Sequence, residues 1–239
     1  MPDYESNKLL GEYLLMHFGA DELRMPWGLG RIGSIDFPQV TAGYFTQKRV
    51  DLSLDLGCSV GASAFHLSKT SKKVIGIDFS EQFIAAANAL KEKGELEFSY
   101  QEEGGRNGES VAKLPEGSEA DNVSFAVGDA LNLPDGFKGF DRVHAANLLC
   151  RVPDPSKLLE KFTDLVKEGG ELVLATPFSW MEEYTPKENW PDGDSWEWLQ
   201  EKLNHDFELI KHADEIFTIR EHVRKFQLGV SKVSHWKRR

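Results

Sequence analysis

The sequence predicts an α/β fold, one open and mostly parallel sheet with helices on both faces. Three observations predict it. Leu52, Leu54 and Leu56 make a short apolar strand, Gly57 and Gly61 bracket a tight turn, and a helical pattern runs on from Ala62 to Leu67. This strand–glycine loop–helix unit brings backbone close to a nucleotide-like ligand. Apolar runs of strand length then recur at 74–78, 123–130, 140–147 and 169–175, and carboxylates stand at the ends of the first two, Asp78 and Asp129. Helical patterns alternate with them, as parallel strands require. A length of 239 residues suits one domain spanning 1–239.

The elements follow in order. Leu9, Leu10, Tyr13, Leu14 and Phe18 lie at helical spacing, so residues 4–18 form an amphipathic helix. Residues 19–47 mix Gly19, Pro26, Gly28, Gly30, Gly33, Pro38 and Gly43 with Trp27, Phe37, Tyr44 and Phe45. Such a segment is an ordered loop packed by its aromatics, either a cap over the site or a packing extension. Ser80 caps a helix through Phe83, Ile84, Ala87 and Leu90 that stops at Gly94. Residues 95–121 are polar and glycine-rich, an insertion read as a surface hairpin or loop. Asp154 and Pro155 open a helix to about Val166, and the prolines of 176–186 exclude a regular helix there. Then come a helix over 193–203, a sixth strand over 207–212 and a long seventh over 226–236.

Composition narrows the partners. A net charge of −11 argues against nucleic acid, which is gripped through clustered Lys and Arg. The terminal Lys237-Arg238-Arg239 reads as a solvated tail. Cys58 and Cys150 make neither a disulfide framework nor a zinc site, and no metal is expected. No apolar run approaches membrane-spanning length and no secretion signal opens the chain, so the expectation is a soluble, cytoplasmic protein with no membrane partner.

The glycine spacing selects the ligand. A dinucleotide fingerprint would put glycine at 57, 59 and 62, where the chain has Gly57, Ser59 and Ala62. Asp55-x-Gly57-x-Ser59-x-Gly61 instead resembles the first motif of class I S-adenosylmethionine (SAM) methyltransferases, D/E-x-G-x-G-x-G, with its middle glycine replaced by serine. The double glycine Gly169-Gly170 is common in that superfamily before the fifth strand. The resemblance implies a Rossmann-like sheet of seven strands in order 3-2-1-4-5-7-6, the last antiparallel. It also implies SAM as cofactor, held by Asp55, Gly57, Cys58, Ser59 and Gly61 of the loop. Asp78 and Phe79 end the second strand, Asp78 accepting from the ribose hydroxyls; Asp129 and Ala130 lie on the adenine side. Asn147 contacts the methionine part or the acceptor.

Beyond the loop, six blocks carry a sharper resemblance: Pro26-Trp27, Leu54 to Gly61, Gly76 to Ser80, Ala145 to Leu148, residues 177–186 and residues 219–227. Together they resemble the C-terminal methyltransferase domain of ovothiol-forming enzymes, over nearly the whole chain. The resemblance implies N-methylation of the imidazole of 5-thiohistidine (4-mercaptohistidine) to ovothiol A. A sulfoxide synthase, joined in one chain in that family, would here be a separate partner. Such an acceptor needs a cation, an acid and an aromatic wall. Arg220 and Glu221 can clamp its amino-acid part, and Trp180, Glu183 and Tyr184 can supply the wall and further acid. An imidazolium must lose its ring proton to attack, so His222 or a carboxylate such as Glu182 is a candidate base, with Asn147 beside the reacting groups. Two other readings stay open: another small amine or carboxylate acceptor, or a catalytically silent SAM-binding partner of a synthase.

Overall fold

The computed structural model describes residues 4–27, 36–46 and 48–239, and it sets the glycine-loop unit in the middle of a seven-stranded sheet. The sheet strands are β1 (Val50–Leu56), β2 (Ser71–Asp78), β5 (Val123–Val127), β6 (Phe140–Ala146), β7 (Val166–Thr176), β8 (Phe207–His222) and β9 (Lys225–Arg238). A separate antiparallel hairpin, β3 (Glu95–Glu103) with β4 (Arg106–Lys113), forms the insertion. The sheet order is β5-β2-β1-β6-β7-β9-β8, which counted along its own strands is the predicted 3-2-1-4-5-7-6. β9 pairs antiparallel with both neighbours, while β5, β2, β1, β6 and β7 are parallel.

Alternating side chains build two cores, one on each face. Val173 and Ala175 of β7 join a core with Leu14, Leu15, Phe65 and Phe83, contributed by helices α1 (Asn7–Phe18), α4 (Ala62–Ser68) and α5 (Glu81–Lys93). Leu172 and Leu174 point the other way, to Leu158, Phe162 and Leu199 of α6 (Pro155–Leu165) and α7 (Ser195–Leu203). The helix starts follow the sequence signals: the side chains of Ser80 and Asp154 accept from Phe83 and Lys157 N–H. Each such cap is worth about 1 kcal/mol.

Three expectations are modified. The sixth strand does not stop at His212; β8 runs on to His222, and the stretch of β9 before Lys232 pairs with β8 alone, so the two form a ribbon beyond the sheet. Lys237 and Arg238 are not a free tail but the end of β9, and Arg238 donates to the Val166 carbonyl. In the segment 19–47, the described residues are partly helical: α2 (Asp21–Arg24) and α3 (Phe37–Ala42), with Phe37 and Phe45 buried. Trp27 is 49% exposed, its ring under the Arg224 guanidinium. Gly28, Gly30 and Gly33 lie outside the described residues. No described helix is long and apolar enough to cross a membrane.

Candidate active site at the carboxyl edge of the sheet

The crevice is built from the turns that leave β1, β2, β6 and β7. After β1 the chain doubles back: Gly57 and Cys58 donate from their backbone N–H to the Ile77 carbonyl at 2.8 and 3.0 Å, and Gly57 takes φ 75°. Ser59, standing where the motif has its middle glycine, adopts φ 50°, a left-handed conformation that costs a side-chain-bearing residue about 1–2 kcal/mol. Gly61 has φ 91°, and a Cβ there would meet the Phe125 ring at 2.6 Å. The spacing of the motif thus reflects backbone geometry at 57 and 61, and Ser59 carries strain in between.

Asp78 closes this loop. Its carboxylate accepts from Ser59 N–H at 2.8 Å and Ser80 N–H at 3.0 Å, so it fixes the glycine loop and the start of α5 together. Burial raises its pKa, against the lowering effect of these two donors. Phe79, the next residue, is 67% exposed and offers an open ring face. Cys58 is buried, and its thiol is pushed well up by burial and by the neighbouring Asp78 and Asp55.

Asp55 lies below the loop, fully buried. One oxygen bonds His144 Nδ1 at 2.7 Å, and His144 Nε2 reaches Thr41 Oγ1 at 3.0 Å, tying β1 and β6 to α3. The other, Oδ2, is buried with no hydrogen-bond partner. Asp129 accepts from Leu131 N–H at 2.8 Å and Asn132 Nδ2 at 2.6 Å, which makes it the cap of its own turn, with Ala130 buried beside it. Asn147, at φ 55°, accepts from Ser231 Oγ at 2.7 Å and so joins the end of β6 to β9.

The predicted acceptor residues separate. Tyr184 is at the crevice: its hydroxyl lies 3.5 Å from that of Tyr4, and the Arg151 guanidinium sits 4.7 Å from its ring centre. Trp180 instead packs with Phe178 and Trp198 and donates to Ser195 Oγ at 3.0 Å. Glu182 and Glu183 are exposed, Glu182 paired with Lys187 at 3.1 Å. Arg220 is 4% exposed and engaged within the protein, facing Glu102 at 3.1 Å, the Leu23 carbonyl and the Tyr100 ring, a placement that differs from the expected carboxylate clamp. Glu221 pairs with Lys225 at 2.6 Å, which lowers its pKa. His222 forms the turn of the β8–β9 ribbon, where Nδ1 accepts from Arg224 N–H, and no described contact brings it to the glycine loop.

Other residues at the crevice were not anticipated. Tyr4 and Tyr13 pack on Phe83, and the Tyr4 carbonyl accepts from Ser80 Oγ at 3.2 Å. Glu5 accepts from Glu81 and Gln82 N–H, capping α5 from outside. The N-terminal segment therefore joins the start of α5, just after β2, to Tyr184 in the loop after β7. Burial pushes the Tyr4 and Tyr13 phenols up to about 12 and raises that of Tyr184, so they act as hydroxyl donors. Their only sequence signal was Tyr13 on the apolar stripe of α1; that of His144 was a polar residue inside an apolar strand.

These features fit SAM. The turn at Gly57, Ser59 and Gly61 brings backbone to the crevice floor, Asp78 keeps lone pairs beyond its two N–H donors for ribose hydroxyls, and Asp55 Oδ2 is an orphaned acceptor under the loop.

Residues 54–174 match the family model described as a methyltransferase domain. Among curated proteins, the ubiquinone biosynthesis O-methyltransferase of Coxiella burnetii is 28% identical over 123 residues, 52% of this chain and 42% of that one. The demethylmenaquinone methyltransferase of Lactococcus lactis is 32% identical over 124 residues, 50% and 39% of the two chains. The matched stretch thus spans about two fifths of these relatives. Among solved structures, a SAM-dependent methyltransferase from Methanosarcina mazei superposes with TM-score 0.56 at 19% identity, covering 83% of this chain and 96% of that one. The [4+2]-cyclase SpnF gives TM-score 0.60 at 15% identity, covering 96% and 92%. With half of its length matching the family model and its sheet in the family's strand order, the chain belongs to the methyltransferase domain family, in the SAM-dependent class I superfamily.

Proposed function

We propose that the protein transfers the methyl group of SAM to an imidazole nitrogen of 5-thiohistidine, giving ovothiol A. The supporting observation is the position of residues 177–186, one of the two most specific blocks of the resemblance: through Tyr184 and its contact with Tyr4, whose carbonyl accepts from Ser80 Oγ, this block reaches the carboxyl edge of the sheet near Asp78. Asp78 and the glycine loop hold the cofactor half, and bound SAM supplies an electrophilic methyl on a sulfonium sulfur. With His222 at the ribbon turn and Glu182 paired with Lys187, the ring proton of the imidazole leaves to solvent, and the protein's part is orientation. Tyr4, Tyr13 and Tyr184 wall the acceptor side with flat rings that also face the sulfonium's positive charge favourably. Positioning of this kind contributes about 7–11 kcal/mol to group transfer.

A second reading is favoured by the curated relatives, whose names concern quinone biosynthesis: methylation of an aromatic hydroxyl or ring carbon between the same tyrosines. Since one fold also carries a [4+2]-cyclase, the reaction must be decided at the site and not from the architecture. Incubation with SAM and, in parallel, 5-thiohistidine, histidine, ergothioneine and a catechol decides between them by product mass. A methylated thiohistidine supports the first reading; a methylated catechol alone supports the second; SAM binding with no product from any acceptor points to a silent partner of a separate synthase.

A further inference from the structure

Arg151 is a guanidinium without an acid. Arg24, Arg49, Arg142, Arg220 and Arg224 each have a carboxylate within 3.5 Å. Arg151, like Arg106, Arg238 and Arg239, has none among the described residues, but it alone of these four follows a strand at the carboxyl edge of the sheet. It is instead built into place by neutral groups. Nη1 donates to the Cys150 carbonyl at 2.9 Å and the Ser179 carbonyl at 3.1 Å and lies 3.2 Å from Cys150 Sγ, and Nη2 donates to Ser179 Oγ at 3.3 Å, while Cζ stands 4.7 Å from the Tyr184 ring centre. A half-buried cation fixed from one side by carbonyls and stacked on an aromatic keeps its charge and its remaining N–H donors for a ligand. Its position says which side of the site it serves. It follows β6 and is held to Ser179 in the loop after β7, and the Tyr184 ring beside it meets Tyr4, whose carbonyl accepts from Ser80 Oγ two residues past Asp78.

We propose that Arg151, stacked on Tyr184, binds the carboxylate of the acceptor, so that the enzyme takes small aromatic or heteroaromatic acceptors bearing a carboxylate. The assignment rests on the methyltransferase reading but not on thiohistidine. It moves to the carboxyl edge of the sheet the role that the resemblance and the acceptor's chemistry led one to expect of Arg220. Tyr4 and Tyr13, protonated up to about pH 12, add hydroxyl donors near the same group.

The test is calorimetric binding to the protein loaded with S-adenosylhomocysteine, using matched pairs with and without the carboxylate: 5-thiohistidine and its decarboxylated amine, histidine and histamine, 4-hydroxybenzoate and phenol. Wild type should prefer the carboxylate member of at least one pair by about tenfold or more. That preference should vanish in Arg151→Gln, shrink in Arg151→Lys and survive in Arg220→Gln. Because the preference is a ratio within one variant, partial loss of folding does not mimic the result; if Arg151→Gln fails to fold, Arg151→Lys carries the comparison. A preference for 4-hydroxybenzoate without one for thiohistidine would leave the Arg151 site standing and remove thiohistidine as acceptor. The proposal is overturned if wild type prefers no carboxylate member, or if the preference survives Arg151→Gln. It is equally overturned if Arg151→Gln weakens S-adenosylhomocysteine as much as the acceptors, which would give Arg151 to the cofactor's own carboxylate.

Discussion

Ser59 shows how one residue can satisfy a motif at a cost. Its left-handed backbone costs about 1–2 kcal/mol, and its hydroxyl oxygen is buried without a partner, which costs about 1–3 kcal/mol more. Glycine would remove both, against about 0.4–1 kcal/mol of extra chain entropy in the unfolded state. Ser59→Gly should therefore raise stability by at least about 1 kcal/mol, a rise of at least about 2–4 °C in Tm for a chain of this size. A lowered Tm would mean that the hydroxyl has a partner which stabilises the loop. The place of Asp78 was legible at the same scale, as an acid closing an apolar strand beside a glycine loop; its bonds to Ser59 and Ser80 N–H were not. Arg151 was not, since a lone arginine after a strand carries no periodicity and its meaning comes from what Tyr184 and Ser179 place around it.

At the scale of elements, the β8–β9 ribbon is clasped to the β3–β4 hairpin by Arg220 with Glu102 and by the hydrogen bond from Val223 N–H to the Glu102 carbonyl. Removing the Glu102 carboxylate leaves a buried guanidinium with only the Leu23 carbonyl and the Tyr100 ring. Breaking a buried pair costs up to about 3–5 kcal/mol; with those two contacts retained, Glu102→Ala should cost about 2 kcal/mol in chemical denaturation and leave acceptor KM unchanged. A raised KM at unchanged stability would instead return Arg220 to the acceptor site. The parallel strands were readable because each is a continuous apolar run between a turn and a helix. The extension of β8 past His212 was not, because residues 213–222 are half-buried on both sides and show no clean alternation. The hairpin of the insertion was readable only as a choice between hairpin and loop, since its polar residues face solvent.

For the whole molecule, folding keeps two histidines neutral. Burial, with Arg24 nearby, lowers His17 to about 3, and burial, with Lys69 nearby, lowers His66 to about 4. Unfolded, both would titrate near their ordinary value of about 6.5. Below that pH the unfolded chain takes up protons that the folded one refuses, so stability falls as pH drops from about 6.5 toward 4, by up to about 1.4 kcal/mol per pH unit for each histidine. Thermal unfolding across pH 4–8 should show Tm falling below about 6, and His17→Gln should flatten that fall; an unchanged slope would mean that His17 is not buried neutral. The edge where β1, β2, β6 and β7 end carries the candidate site, and Asp78 ties its glycine loop to the start of α5. The most direct test is calorimetric titration of SAM into wild type and Asp78→Ala. Binding to wild type, weakened about 10²-fold in the variant as expected for lost hydrogen bonds to a charged group, is the predicted result; no SAM binding by folded wild type, or equal affinities in the two proteins, would contradict the account.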